Sequence, residues 1–169
     1  MTTDPSGPGA GVARVARVIT CSDRAAAGEY VDRSGPLAVA RLREWGFDCP
    51  EATVVPDGPA VEEQLRSAVT GDVAVVVTTG GTGLGPRDLT PEATAAVVDR
   101  LVPGLAEAIR AAGRAAGVPT AALSRGLVGV SGSTLVVNLP GSTGGVRDGL
   151  DVLGGVLRHA LDQLAGGEH

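Results

Sequence analysis

The 169-residue chain carries a net charge of −5, has a pI near 5.0 and contains one residue each of Tyr, Trp and Phe. These properties argue against nucleic acid or an anionic membrane surface as partner, because both attract clustered basic side chains and single-strand stacking needs aromatic rings. The longest apolar runs are about five residues, far short of the roughly 20 that cross a bilayer.

Residues 1–11 lack the basic and apolar regions of a signal peptide, so we expect a flexible arm on a cytoplasmic protein. The chain that follows is expected to form a single α/β domain over residues 12–165. Cys21 and Cys49 fit no metal-ligand spacing and are expected to be reduced thiols.

Two strand-to-helix units are predicted at the start of this domain. The first strand, Val12–Thr20, runs directly into the polar residues Ser22 and Asp23. The second strand, Thr53–Val55, ends just before Asp57, and a helix follows at once. Both aspartates are therefore expected at the carboxyl ends of strands.

The third unit contains an unusually long, glycine-rich connection. Its strand, Val73–Val77, is rich in β-branched residues and is expected to be buried on both faces. Residues 78–83 (TTGGTG) carry no large side chain, so a ligand can approach the backbone itself. A helix is predicted from Thr90, as N-cap, to Leu101, with Asp88 just before it.

Two familiar phosphate-binding loops are excluded here. The dinucleotide fingerprint requires a glycine where Pro86 stands, and the P-loop requires a lysine, whereas all 14 basic residues are arginine. Phosphate charge is therefore expected to be met by backbone N–H groups, by arginine or by a metal ion. Asp88 is placed to carry such an ion.

The remaining chain predicts a helix over Leu105–Ala116, a strand over Thr134–Leu139 and a last helix over Val146–Leu164. Residues 121–133 mix short apolar pieces with glycines and give no clear assignment. Alternating strands and helices predict an α/β fold, with a mostly parallel sheet covered by helices on both faces. In such folds the ligand lies at the carboxyl edge of the sheet.

The acids at this edge favour magnesium-assisted phosphoryl or nucleotidyl transfer, which depends mainly on positioning and charge neutralisation. Asp23, Asp57 and Asp88 exceed the one or two carboxylates that Mg²⁺ usually takes from a protein. Each has an ordinary alternative: Asp57 as a helix cap, Asp23 as a partner of Arg24, and Asp88 as a surface acid. A Ser-His-Asp arrangement is excluded, since one histidine lies in the last helix pattern and the other ends the chain.

Several motifs, in this order along the chain, resemble the molybdopterin adenylyltransferase family (MogA/MoaB type, also similar to the G domain of gephyrin). They are TCSDRAAAGEYVDRSG, VVPD, TTGGTGLGPRDLTPEA, PGLAEAIR, ALSR and VVNLPGS. The resemblance implies a three-layer fold, a homotrimer, and transfer of AMP from Mg-ATP to molybdopterin with release of pyrophosphate. It also implies an encounter with the molybdenum-insertion enzyme of the pathway.

The resemblance assigns catalysis and Mg²⁺ binding to Asp57 and Asp88. Residues predicted to bind molybdopterin or nucleotide are Ser22, Asp23, Thr79, Gly80, Gly81, Thr82, Gly83, Ser124, Asn138, Pro140, Gly141 and Ser142. Ser142-Thr143 stands where many relatives have a residue followed by proline, which predicts a less rigid loop. Two alternatives stay open: a binding or scaffold module without catalysis, and a nucleotide pyrophosphatase.

Overall fold

A computed structural model of the chain describes residues 15–167. Within it a six-stranded sheet has the order β2-β1-β3-β6-β5-β4. The strands are β1 (Val15–Cys21), β2 (Thr53–Val55), β3 (Val73–Thr79), β4 (Arg100–Leu101), β5 (Val128–Ser131) and β6 (Thr134–Leu139). The predicted arm at residues 1–11 and the predicted start of the first strand at Val12 lie outside the described residues.

The sheet is mostly parallel, as predicted. β1 pairs in parallel with both β2 and β3, and β3 pairs in parallel with β6. The pairings of β5 with β4 and β6 are antiparallel. All residues of β3 and β6 are buried, which explains why their sequences are continuous apolar runs rather than alternating ones.

Helices cover both faces of the sheet. They are α1 (Asp23–Ala26), α2 (Ser34–Glu44), α3 (Pro59–Ala68), α4 (Thr90–Val97), α5 (Pro103–Ala115), α6 (Thr143–Gly154) and α7 (Leu157–Leu164), with a 3-10 turn at Pro119–Leu123. On one face α2, α5, α6 and α7 contribute buried residues such as Leu42, Ile109 and Leu150. On the other face α3 and α4 contribute Leu65 and Ala93, which completes the three predicted layers.

The predicted helix over residues 90–101 is wrong at its end. The helix stops at Val97, Val98 is extended, and Arg100–Leu101 forms β4 against β5. Its start is also shifted, because Leu89 rather than Thr90 occupies the N-cap position and makes no side-chain capping bond. Antiparallel pairing across some thirty residues of chain, which local patterns do not encode, overrides the helical propensity of this segment.

The segment that gave no clear assignment, residues 121–133, contains the end of the 3-10 turn and all of β5. The last predicted helix is in fact two helices, α6 and α7, separated at Gly155 and Val156. The apolar stripe continues through the break because both helices pack on the same side of the sheet. Two consecutive glycines at 154 and 155 weaken the helix where it divides.

Candidate anion-binding site at the carboxyl edge of the sheet

The loops that follow β1, β2, β3 and β6 meet at one edge of the sheet, as parallel pairing requires. The Ser22 N–H donates to the Val55 carbonyl at 3.0 Å, which joins the loops after β1 and β2. The Gly80 N–H donates to the Leu139 carbonyl at 3.0 Å, which joins the loops after β3 and β6. The predicted binding loops are therefore brought together around Gly80.

The turn at Gly80 and Gly81 can be made only by glycine. Their φ values are +86° and +66°, in the left-handed region that other residues avoid. A Cβ on Gly80 would lie 2.3 Å from the Cys21 carbonyl oxygen, and one on Gly81 would lie 2.2 Å from the Thr90 hydroxyl. At both positions the backbone packs directly against neighbouring groups, which leaves no room for a side chain.

Beyond this turn the backbone offers donors to a ligand. Among the described residues, the N–H groups of Gly81, Thr82 and Gly83 donate no hydrogen bond. Consecutive unpaired N–H groups around a left-handed residue form a concave site that suits an anion. The geometry thus supports the prediction that this loop holds phosphate through its backbone.

Asp23 and Asp57 lock the loops after β1 and β2 together. The Asp23 N–H donates to Asp57 Oδ2, and the Asp57 N–H donates to Asp23 Oδ1, both at 3.1 Å. Arg87 donates to both Asp23 oxygens, at 2.6 and 3.0 Å, and to the Asp57 carbonyl at 2.6 Å. This arginine lowers the pKa of Asp23. Asp23 therefore pairs with Arg87 and not with Arg24, the alternative considered from the sequence.

The Asp57 side chain does not cap the helix that follows it. The N-cap of α3 is Gly58, without a side-chain capping bond, and Asp57 Oδ2 is turned to the neighbouring loop instead. Its Oδ1 is buried and lacks a hydrogen-bond partner among the described residues. Burial raises the pKa of Asp57, and the nearby charges of Asp23 and Asp88 raise it further.

An orphaned carboxylate oxygen beside two other acids fits a cation, because a positive charge would supply its missing partner and relieve the repulsion. Asp88 lies close to the same loop, where its Oδ2 accepts from the Gly85 N–H at 2.9 Å. Over the described residues, His, Cys, Asp and Glu form no cluster of three or more suited to a metal ion. A Mg²⁺ ion held by Asp57 and Asp88 would thus take its other ligands from water and phosphate.

Arg125 fixes the loop that carries Asp88. Its backbone N–H donates to the Thr82 carbonyl at 2.8 Å, and its side chain donates to the carbonyls of Gly83 and Asp88 at 2.9 and 2.6 Å. The same guanidinium pairs with Glu92 at the start of α4. Neither Arg125 nor Arg87 was among the predicted site residues, although both lie inside the recognised motifs.

Several predicted binding side chains are engaged inside the protein. Asn138 is buried, donates to the hydroxyls of Thr78 and Thr94, and accepts from the Leu127 N–H. Its amide is thus engaged within the protein, and a ligand contact of Asn138 stays a prediction. The Thr79 hydroxyl lies 2.9 Å from that of Ser34 in the interior.

Three predicted serines shape the backbone around the site. Ser22 Oγ accepts from the Ala25 N–H at the start of α1, and Ser142 Oγ accepts from the Gly145 N–H at the start of α6. Ser124 Oγ accepts from the Gly126 N–H at 3.3 Å. Pro140 and Ser142 nevertheless line a cavity, so these positions can meet a ligand through backbone and apolar atoms.

Two cavities lie beside the close approach between Gly141 and Gly80. A Cβ on Gly141 would lie 3.4 Å from Gly80 Cα. One, of about 400 Å³, is lined by Thr82, Gly83 and residues of α5 and α6. The other, of about 110 Å³, is lined in part by hydroxyl side chains that include Ser22 and Thr79. Cys21 borders the smaller cavity, but burial raises the pKa of its thiol to about 12, so it does not suit a nucleophilic role.

The covered, mostly parallel sheet and the glycine turn with unpaired N–H groups define an α/β domain whose carboxyl edge suits an anion. Within that class, the chain belongs to the family described as a probable molybdopterin binding domain, whose model matches residues 17–159. The family that the sequence motifs resemble is thereby confirmed. Along residues 15–167, no helix has both the length and the apolar character needed to cross a membrane.

The chain is 44% identical over 166 residues to the molybdenum cofactor biosynthesis bifunctional protein of Synechococcus elongatus, covering 98% of this chain and 51% of that protein. It is 36% identical over 156 residues to the molybdopterin adenylyltransferase of Escherichia coli K12, covering 85% and 77%. The solved structure of the molybdopterin biosynthesis Mog protein from Mycobacterium ulcerans matches with a TM-score of 0.86 at 55% identity, covering 90% of this chain and 99% of that one. The chain thus spans about half the length of the bifunctional relatives.

Proposed function

We propose that this protein is a molybdopterin adenylyltransferase of molybdenum cofactor biosynthesis. It transfers AMP from Mg-ATP to the terminal phosphate of molybdopterin and releases pyrophosphate. The observation that carries the proposal is the placement of Asp57 and Asp88 beside the unpaired N–H groups of residues 81–83. Similarity to the adenylyltransferase of Escherichia coli over most of the chain supports the same reaction.

The residues of this edge have separate tasks in the reaction. The N–H groups of Gly81, Thr82 and Gly83 bind phosphate oxygens and hold them in line for attack. Asp57, through Oδ1, and Asp88 would hold Mg²⁺. When bound, Mg²⁺ neutralises charge on the triphosphate and on the departing pyrophosphate.

Arg87 and Arg125 act as positioning residues in this proposal. Arg87 holds the Asp23–Asp57 pair, and Arg125 holds the loop from Thr82 to Asp88 by its carbonyls. Because both guanidinium groups bond to carbonyl groups as well as carboxylates, they fix the backbone and not only the charges. The two carboxylates are therefore held in place before a substrate arrives.

The proposal is tested by mass spectrometry of the products formed from molybdopterin and Mg-ATP. We expect adenylylated molybdopterin together with pyrophosphate. Recovery of unchanged molybdopterin that co-purifies with the protein would instead support a binding or scaffold module. Release of AMP and pyrophosphate without a pterin adduct would support a nucleotide pyrophosphatase, since water would then be the nucleophile.

We further propose that the protein is a homotrimer, as the family resemblance implies. Leu101 and Val156 are 56% and 43% exposed beside an apolar surface between β4, α5 and α7, which suits burial between copies. Light scattering should give a mass of roughly 50 kDa, three times the 16.7 kDa chain, that does not change on dilution through the micromolar range. A monomer mass throughout that range would contradict the proposed assembly.

A cytoplasmic location and an encounter with the molybdenum-insertion enzyme belong to the same proposal.

A further inference from the structure

A buried network of three polar side chains lies where β3, β6 and α4 meet. Asn138 of β6 donates from Nδ2 to the hydroxyls of Thr78 and Thr94, at 3.0 and 2.9 Å. Its Oδ1 accepts from the Leu127 N–H at 3.0 Å, and this contact fixes the orientation of the amide, because the N–H requires an acceptor. Thr78 and Asn138 are buried, and Thr94 is 0% exposed, so a ligand cannot reach the Thr94 hydroxyl.

The Thr94 hydroxyl links α4 to the sheet through Asn138. This hydroxyl donates to the Thr90 carbonyl one turn back in α4, at 2.8 Å, so its oxygen is left to accept from Asn138. A hydroxyl that bonded only to a carbonyl of its own helix would not hold that helix on the sheet. The amide of Asn138 supplies the link, and the start of α4 is thereby anchored to β6.

The start of α4 in turn holds the backbone of the glycine turn. The Thr90 N–H donates to the Gly81 carbonyl at 3.1 Å, and a Cβ on Gly81 would lie 2.2 Å from Thr90 Oγ1. The planar peptide group that carries this carbonyl also carries the Thr82 N–H, which has no partner among the described residues. A displacement of α4 would therefore turn a donor that is proposed to bind phosphate.

The other two partners of Asn138 lie in segments that enter the same turn. Thr78 stands in β3, two residues before the turn begins. Leu127 comes two residues after Arg125, whose N–H donates to the Thr82 carbonyl at 2.8 Å. A single amide thus bonds to β3, to α4 and to the segment before β5.

We infer that Asn138 and Thr94 are positioning residues, which hold α4 so that the Thr82 N–H is directed at phosphate in the proposed transfer. The inference rests on the proposed function for the identity of that phosphate, although the network itself acts on the backbone of the protein. It gives Asn138 a task that needs no contact with a ligand. Such precision matters to a reaction that depends on alignment, since a misplacement of about 1 Å can cost about a hundredfold in rate.

The test measures binding of Mg-pyrophosphate by calorimetry and exchange of the Thr90 amide hydrogen by NMR. Thr94→Val keeps the shape of the side chain and removes the hydroxyl, so the affinity for Mg-pyrophosphate should fall at least about tenfold. Exchange of the Thr90 N–H should become at least about tenfold faster, because the start of α4 is no longer held at Gly81. Asn138→Leu should reproduce both changes, and Thr94→Ser, which retains the hydroxyl, should restore wild-type values.

The matched control is Thr134→Val, at the opposite end of β6. Thr134 is also buried, and its hydroxyl donates to the Val73 carbonyl of β3 at 2.7 Å. This variant should lower the Tm by a few degrees, as Thr94→Val should, because each removes a buried hydrogen bond. It should leave the pyrophosphate affinity and the exchange of the Thr90 N–H unchanged.

Equal loss of affinity in Thr94→Val and Thr134→Val would overturn the inference, because general stability would then explain the effect. Loss in Asn138→Leu with normal binding in Thr94→Val would make Asn138 a direct ligand contact instead. Unchanged binding or unchanged Thr90 exchange in Thr94→Val would separate the network from the turn. Absence of Mg-pyrophosphate binding to the wild type at millimolar concentration would remove the phosphate site that the network is inferred to position.

Neither measurement requires adenylyl transfer, so the two ideas fail separately. A transfer assay without product, together with the expected affinities, would leave a binding module positioned by this network. Product formation at the wild-type rate by Thr94→Val would leave the adenylyltransferase and remove the positioning role.

Discussion

Replacing Asp57 with asparagine is expected to reduce adenylyl transfer at least about tenfold, a barrier increase of about 1.4 kcal/mol, while the fold survives. The asparagine side-chain oxygen can still accept the hydrogen bond that the Asp23 N–H now donates to Asp57 Oδ2. The contact between the loops after β1 and β2 is therefore kept. What disappears is the negative charge and the buried, unpartnered oxygen proposed to hold Mg²⁺. Asp88→Asn is expected to have the same effect on turnover.

The assay compares initial rates at limiting and saturating Mg²⁺. The control is Asp72→Asn, an exposed acid before β3 and therefore at the opposite edge of the sheet. Mg²⁺ should also raise the Tm of the wild type more than that of Asp57→Asn, since binding to the folded state alone is stabilising. Wild-type turnover in both Asp57→Asn and Asp88→Asn would remove the metal assignment and favour the binding module.

The same variant has an expected pH signature in stability. The folded-state pKa of Asp57 is raised above 3.8 by burial, so the folded protein binds this proton more tightly than the unfolded chain. The stabilising contribution of Asp57 to the wild type is therefore present below the pKa that this group has in the unfolded chain. It is lost as the pH rises through the higher pKa that Asp57 has in the folded protein. Asp57→Asn does not titrate, so its Tm relative to the wild type should increase with pH through that interval in metal-free buffer. If the Tm difference between Asp57→Asn and the wild type stayed constant from about pH 4 to about pH 7, the raised pKa of Asp57 would be contradicted.

Replacing Gly81 with valine is expected to abolish ligand binding. The residue has φ +66°, and a Cβ would lie 2.2 Å from Thr90 Oγ1 and 2.9 Å from Asp57 Oδ1. A β-branched side chain tolerates neither this backbone conformation nor this proximity, so the turn and the Asp57 carboxylate must both shift. Calorimetry with ATP and with molybdopterin should detect no binding in a protein that still shows native circular dichroism.

Gly81→Ala is the milder variant and keeps the test usable if Gly81→Val does not fold. Its matched control is Gly71→Ala, at a turn with φ +82° where a Cβ would meet nothing within 4 Å. Gly71→Ala should lose about 1–2 kcal/mol of stability from the left-handed conformation alone and bind ligand normally. Normal binding by folded Gly81→Ala would show that the loop is only a connection.

The buried strands and the glycine turn could be predicted because their signals are local. The valine run of β3 is apolar throughout since helices cover both of its faces, and Gly80 and Gly81 are glycine since their φ values are positive. Strand-to-helix alternation then places Ser22 and Asp57 at the carboxyl edge by topology alone. The prediction of a mostly parallel sheet with helices on both faces needed no further information.

The short strands and the helix break could not be predicted in the same way. β4 has only two residues, and its helical context gives no sign that Arg100 will pair with Val130. The stripe from Val146 to Leu164 follows one helical period across two helices. In each instance a pairing or packing contact that is distant in sequence decided between conformations of similar local free energy.

The sequence by itself determined which residue types stand at the carboxyl edge of the sheet: carboxylates, small hydroxyls and glycines at the ends of parallel strands. Only the tertiary structure decided what each side chain does there. Asn138 makes hydrogen bonds with Thr78, Thr94 and the Leu127 N–H, whereas Arg125, to which the sequence assigned no role, holds the loop of Asp88. The reason is that a hydrogen bond depends on distance and direction between groups that are far apart in the chain, and these are fixed only when the sheet and its layers have packed.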